Sequence, residues 1–390
     1  LLATCDSTAT VTISGGGSPT ASSAATATHT GGGPTATPVP APPHAFAWIQ
    51  FDGSHNPQIW ASINGGTPAQ ITHYHFSGSG CNPTSWGLPV FSPDLTHIAS
   101  VLGFICGDGP VNGTVEIINV SNGAYTPIPT SNSGALANQR SYGWVNNNTV
   151  WILNYGGLYE YTLGAGSPTL LPGISNGVEG VLRGNTFFFS NMVSTPTIFT
   201  LYLYRYDMTS HTVLSTINLG TIHGCQCSPG DAHYQGWDAS PDGSHVAYQV
   251  TTAGPGPDFG ISHSTIYYAN ADGSGASQIA SYMFTTSLVR MLISPNGQLV
   301  AFSNALPSPS VVSASVNSPG HSGDPNFHTY TPAAVAFPVW KWDSSQFWAA
   351  TAEDSDAGYT HSNLMNYHIG TSAGVVGVAG GYNPWYTIGG

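Results

Sequence analysis

The chain has 390 residues, only 6% of them charged, and a formal net charge of -13. One lysine, Lys341, and four arginines, Arg140, Arg183, Arg205 and Arg290, leave no basic patch to neutralise a row of phosphates, which argues against nucleic-acid partners. No run of 18 apolar residues occurs, so no transmembrane span is expected. Solubility must come from Ser, Thr, Asn and Gly, and such a surface docks without desolvating many charges, which suits assembly, adhesion or glycan decoration.

Taken in chain order, Leu1-Leu2-Ala3-Thr4-Cys5 resembles the end of a bacterial lipoprotein signal, although Thr4 is not the usual small residue before the modified cysteine. The resemblance implies a lipid on Cys5 of an exported protein. The other role open to Cys5 is an intermolecular bond. Thr8-Ala9-Thr10-Val11-Thr12-Ile13-Ser14 alternates hydroxyl and small apolar side chains, a period-two strand signal that fits strand addition to the sheet edge of another copy. A Gly, Ser, Thr, Ala and Pro tract then runs to Pro43 and reads as a linker that cannot fold alone. Residues 1–44 are therefore expected to be a tail and residues 45–390 a domain.

From Ala45 the pattern is strand, turn, strand, with no amphipathic helix. Unit one predicts strands over Phe46–Phe51, Gln58–Ile63 and Ala69–Thr72. Unit two runs from Trp86 to Ile128, unit three from Tyr142 to Leu171, and unit four from Gly177 to Leu219. The fifth holds Trp237 to Ile279. The sixth starts near Val289 and carries a Ser, Pro, Gly and His-rich stretch over 305–331, read as an insertion. The seventh spans Val335 to Val378, and residues 382–388 look like a lone inner strand. Unit one lacks an inner strand, so the C-terminal strand is expected to supply it and close seven four-stranded blades.

One phrase recurs at long spacing: Phe91-Ser92-Pro93-Asp94, Ala239-Ser240-Pro241-Asp242-Gly243 and Ile293-Ser294-Pro295-Asn296-Gly297, each followed by an apolar-Ala strand. With the outer turn Asp272-Gly273-Ser274-Gly275, this resembles TolB-type β-propeller repeats. The resemblance covers nearly all of 45–388 and is crisp in units two, five and six. It implies a propeller in an exported bacterial protein, which with the seven units counted above gives an all-β, seven-bladed fold, and no reaction, because propellers of this kind share no catalytic motif.

The candidate chemistry is sparse. No Gly-x-Ser-x-Gly elbow in a strand-to-helix context is present, and no α/β-hydrolase portion follows the blades. The glutamates are Glu116, Glu160 and Glu353, and the first two fall in outer-strand patterns, far from a central pocket where glycoside cleavage would need paired carboxylates. The acidic run Glu353-Asp354-Ser355-Asp356 lacks the rest of a calcium-loop pattern. His73 and His75 share a side without a third ligand. Trp340 and Trp342 share a face as either a sugar-stacking platform or blade packing. Asp94, Asp242 and Asn296 are expected to hold turns, as is Asp238.

Five cysteines suit an oxidising compartment. Cys81 and Cys106 flank a predicted strand pair, and a disulfide between them would be worth about 3 kcal/mol in the chain-entropy model. Cys225 and Cys227 form Cys-Gln-Cys, either a tight disulfide or, with His223 and His233, a loose metal set. The expectation is thus a non-enzymatic, exported, cell-surface or extracellular protein without cofactor. It associates with copies of itself through the tail. The alternative is a lipid-anchored propeller that binds a carbohydrate or another surface protein.

Overall fold

The computed structural model describes residues 41–54, 56–75, 81–106, 109–111, 113–129, 141–154, 156–194, 198–223, 236–253, 261–285, 290–304, 310–315, 327–330, 338–350, 363–371 and 373–388. Residues 41–390 form one compact unit. The described residues are all-β, and every regular element among them is a strand.

The chain builds its sheets from successive antiparallel hairpins, because Gly, Asn and Asp turns interrupt strands of two to twelve residues. Strands β1 (His44–Phe51), β2 (Pro57–Ile63) and β3 (Ala69–Gln70) open the domain. The second group has β4 (Cys81–Trp86), β5 (Val90–Phe91), β6 (His97–Cys106), β7 (Gly109–Val111), β8 (Val115–Asn119) and β9 (Tyr125–Pro127). The third has β10 (Tyr142–Asn146), β11 (Thr149–Asn154), β12 (Gly157–Thr162) and β13 (Thr169–Leu170). The fourth has β14 (Gly177–Arg183), β15 (Thr186–Ser194), β16 (Ile198–Asp207) and β17 (Thr212–His223). The fifth has β18 (Trp237–Ala239), β19 (His245–Ala253), β20 (Ile261–Asn270) and β21 (Ser277–Thr285). The sixth has β22 (Arg290–Ile293), β23 (Leu299–Asn304), β24 (Ser310–Ser315) and β25 (Phe327–Tyr330). Last come β26 (Val339–Trp340), β27 (Gln346–Ala350), β28 (Asn363–His368), β29 (Gly374–Ala379) and β30 (Gly381–Ile388).

Outside the second group, neighbours in sequence within a group pair antiparallel as far as β29, in the order β22-β23-β24-β25 for example, whereas in the second β6 pairs with β4, β5, β7 and β8. β30 pairs with β1, from His44 opposite Ile388 to Gln50 opposite Gly381, so the first sheet runs β3-β2-β1-β30. The fourth and fifth groups share one eight-stranded sheet through a single parallel pairing, Gly220 with Thr251. Counting β5 as the leading strand of the second group and β30 as that of the first sheet, the first strands touch in the order β5, β10, β14, β18, β22, β26, β30, and β30 touches β5.

Packing follows from the pleat. Each sheet turns alternate apolar side chains to both neighbours, so cores form between sheets. One core holds Phe188 and Leu203 of the fourth group with Trp237 and Tyr248 of the fifth. Another joins Phe46 and Trp48 of β1 to Ala350 and Leu364 of the seventh group, and thus unites the two ends of the domain. Buried aromatics such as Phe187, Phe302 and Phe347 contribute about 1.5–3 kcal/mol each by burial.

The stretch over 305–331 is not a plain insertion. It contains β24 and β25, the two outer strands of the sixth sheet. Their sequences, Ser-Val-Val-Ser-Ala-Ser and Phe-His-Thr-Tyr, hide the strand pattern because neither alternates apolar and polar residues.

Candidate functional site

The recurrent turn is built by its own side chains. Ser240 Oγ donates to Asp242 Oδ1 (2.6 Å), which also accepts the Ser244 N–H (3.0 Å), and Ser240 Oγ accepts the His245 N–H (2.9 Å). The bonds from Ser92 to Asp94 (2.6 Å), from Thr96 N–H to Asp94 (3.2 Å) and from His97 N–H to Ser92 (3.0 Å) repeat this arrangement. So do Ser294 to Asn296 (2.7 Å) and Leu299 N–H to Ser294 (2.9 Å). The third turn residue is left-handed in each: Leu95 at φ 62°, Gly243 at 69° and Gly297 at 70°. The Ser240 hydroxyl, then the Ser244 amide and hydroxyl, hold the Asp242 carboxyl down to about 2.

A fourth copy was missed in the sequence. Lys341-Trp342-Asp343-Ser344 has the same backbone bond, Lys341 N–H to Gln346 C=O (2.9 Å), and Ser344 takes φ 59°. Here a Lys341–Asp343 ion pair (2.8 Å) stands in for the Ser–Asp bond. The signal was the Asp three positions after the strand end, masked because Lys replaced Ser and Ser replaced Gly.

The turns also fasten one sheet to the next. Asp94 N–H donates to Asn147 Oδ1 (3.0 Å), and Asn296 N–H to Ser344 Oγ (3.1 Å). On the first strands, Trp144 Nε1 donates to Val90 C=O and Trp340 Nε1 to Leu292 C=O, both at 2.9 Å. Trp86 Nε1 donates to Pro57 C=O (2.9 Å) and Tyr142 Oη to Leu88 C=O (2.8 Å). Burial pushes the Tyr142 phenol well above its ordinary range, so it remains a donor.

Asp238 is not a turn residue. It is fully buried on β18 and links three first strands. Its Oδ2 accepts the Ile293 N–H of β22 (2.8 Å), while its Oδ1 faces the Arg183 guanidinium of β14 at 3.5 Å. Arg183 Nε donates to Ala239 C=O (3.1 Å). The sequence could not reveal this, because the acceptor and the donors are about fifty residues apart.

These turns rim a cavity of about 370 Å³ at their end of the first strands. Pro93, Pro241 and Pro295 of the turns line it, with the rings of Tyr142, Trp144, Trp151 and Trp340, apolar first-strand side chains, and Arg183 as its charged group. No carboxylate, imidazole or thiol lines it among the described residues, and the Tyr142 hydroxyl is already bonded. Gly143 makes room for the Trp151 ring, which a Cβ there would meet at 2.8 Å. Walls of this kind hold a ligand by apolar contact and one cation. They present no activated nucleophile or general base.

The remaining sequence candidates are scattered. Glu116 sits on β8, away from the cavity, and burial raises its carboxyl to about 7. Glu160 lies on β12. His73 and His75 are exposed on either side of buried Tyr74, outside any strand, and among the described residues no group of three His, Cys, Asp or Glu could hold a metal. Trp340 and Trp342 do not share a strand face. Trp340 is buried on β26 against Phe347 (5.2 Å), and Trp342 lies in the turn 5.9 Å from His44. Cys81 and Cys106 stand directly opposite each other on β4 and β6. Cys5, the segment Thr8–Ser14, Cys225, Cys227, His233 and the run 353–356 lie outside the described residues.

No family model matches the chain, and no curated protein matches it. Solved structures do. The chain is similar to the periplasmic gluconolactonase of Pseudomonas aeruginosa, at 13% identity over 89% of this chain and 100% of that one, with a TM-score of 0.51. That likeness shows a β-propeller fold and nothing finer. TolB of Acinetobacter baumannii is also similar, at 12% identity over 88% of this chain, with a TM-score of 0.44, and the chain spans 66% of that protein's length. A puromycin-hydrolyzing peptidase of Mycobacterium tuberculosis is similar at 13% identity over 75% of this chain and 46% of that one, with a TM-score of 0.49. The structural neighbours thus include enzymes as well as TolB proteins.

Proposed function

We propose that the chain is an exported, seven-bladed propeller, closed by the pairing of β30 with β1, that binds a partner at the turn-rimmed cavity without catalysis. The composition of the cavity wall supports this reading: proline turns, five aromatic rings and one guanidinium, with no residue able to activate water among the described ones. A ligand that fits is an apolar segment carrying an acceptor or carboxylate for Arg183. Pro241 lines the cavity and is exposed, so Pro241→Glu puts a negative charge at the mouth without removing a core side chain. In fluorescence anisotropy with a panel of labelled apolar peptides bearing free carboxylates, the wild type binds and Pro241→Glu loses at least tenfold in affinity with a melting temperature within about 2 °C of the wild type's. Turnover of a gluconolactone or a peptide amide above that of heat-denatured protein would refute the non-catalytic reading.

Self-association by strand addition is the second reading, and β29 favours it. This outer strand, Gly-Val-Val-Gly-Val-Ala, carries no charge and no proline, and Val375 and Val376 are 63% and 53% exposed. Natural edge strands usually carry a charge or a proline that blocks pairing. Val376→Lys should abolish any concentration-dependent rise in mass measured by light scattering. An unchanged rise would remove β29 from the reading.

A further inference from the structure

The second group departs from the simple four-stranded plan, and the departure carries a cysteine pair. β6 is ten residues long. Its first half pairs with β5 and β8, and its second half continues between β4 and β7. This three-stranded lobe lies at the end of β6 opposite the Ser92–His97 turn. In the β4–β6 ladder the last pairing is Cys81 with Cys106, followed inward by Asn82 with Ile105 and Pro83 with Phe104.

We propose that Cys81 and Cys106 form a cross-strand disulfide that closes the tip of this lobe. Residues directly opposed on antiparallel strands have Cα atoms about 4.5–5.5 Å apart and project to the same face. A disulfide requires about 4.4–6.8 Å between Cα atoms, so the backbone register alone meets the requirement without movement. β7 turns back at the same place, with Cys106 opposite Gly109, so a bond there clamps the point where three strands end. The composition points the same way, since the chain is read as exported to a compartment where disulfides persist.

The chemistry balances through thiol–disulfide exchange with a small-molecule disulfide such as oxidised glutathione. One thiolate attacks the donor disulfide, releasing a thiol and leaving a mixed disulfide. The second thiolate then attacks the protein sulfur of that mixed disulfide. The two cysteines are oxidised by two electrons, and the donor leaves as two thiols.

The test is peptide mapping of the full chain, equilibrated with oxidised glutathione, alkylated with iodoacetamide and digested without reductant. The expected product is a linked pair of peptides containing Cys81 and Cys106, which separates on reduction. Alkylation of both thiols, or a link from either one to Cys5, Cys225 or Cys227, overturns the proposal. The double variant Cys81→Ser/Cys106→Ser gives a second measurement. The wild type should melt about 5 °C lower with dithiothreitol, and the variant's melting temperature should not respond. An equal dithiothreitol shift in the variant assigns the effect to other cysteines and overturns the proposal. The mapping needs no variant, so it decides even if the double variant does not fold.

Discussion

The two ends of the sheets differ. At the turn end, copies of one short device repeat with nearly the same geometry: a Ser or Lys side chain on an Asp or Asn and a left-handed residue directly after it, with the Asp94 and Asn296 turns also bonded to the next sheet. At the other end the groups diverge. The second grows the β4–β6–β7 lobe, and the fourth and fifth lengthen to strands of nine to twelve residues that meet at Gly220 and Thr251. The turn end is therefore a frame whose polar atoms are used by the frame itself. What distinguishes this chain lies in the cavity that the frame encloses and in the irregular far end.

The sharpest way to break the frame is at its longest-range link. Asp238→Ala removes the acceptor of the Ile293 N–H and the partner of Arg183 at a fully buried position, and should cost about 3 kcal/mol in urea unfolding. A loss under 1 kcal/mol would mean that the three first strands hold together without it.

Two glycines set the ends against each other. Gly220 has φ 89°, and a Cβ there would run into the Thr251 carbonyl, so Gly220→Ala should cost about 2 kcal/mol and loosen the joint between the fourth and fifth groups. Gly243 at the turn end has φ 69° but more room, its nearest contact being Arg183 Cβ at 3.3 Å, so Gly243→Ala should cost about 1 kcal/mol. Hydrogen exchange of β17 and β19 amides should rise in the first variant and not in the second. Equal costs would erase the contrast.

The smaller effects are pH dependences of opposite sign. Burial raises the folded Glu116 carboxyl from 4.5 to about 7, so the folded state prefers it protonated. Its contribution is complete below about pH 4.5 and is lost as the pH rises through about 7. Glu116→Gln should flatten the wild type's decline in melting temperature between pH 5 and 8. Asp242 is depressed from 3.8 to about 2, so its contribution is present above pH 3.8 and lost as the pH falls through about 2. Asp242→Asn, the residue type that Asn296 already supplies in a sister turn, should flatten the acid limb measured by thermal melts from pH 4 to 2. This is the smallest change, because the carboxyl is exposed.

Much of the architecture was legible because its causes are local. A Ser hydroxyl reaching an Asp two residues on is written in four consecutive letters, and alternating strands such as Leu201–Tyr206 announce a pleated, half-buried surface. The turn at Lys341 escaped because the same geometry was reached with different side chains. β24 and β25 escaped because Ser-Val-Val-Ser-Ala-Ser and Phe-His-Thr-Tyr do not alternate apolar and polar residues. The aromatic pair at 340 and 342 was misplaced because a strand ends between its members.

The sequence by itself thus determined the class, the hairpin order and the turn chemistry, all of which depend on residues a few positions apart. Only the tertiary structure decided that Asp238 ties together three first strands and that Trp144 and Trp340 each reach a carbonyl of the neighbouring sheet. Those pairings join residues about 50 positions apart. They exist only once the sheets have packed, since short-range propensity carries no information about which distant backbone group will stand opposite a side chain.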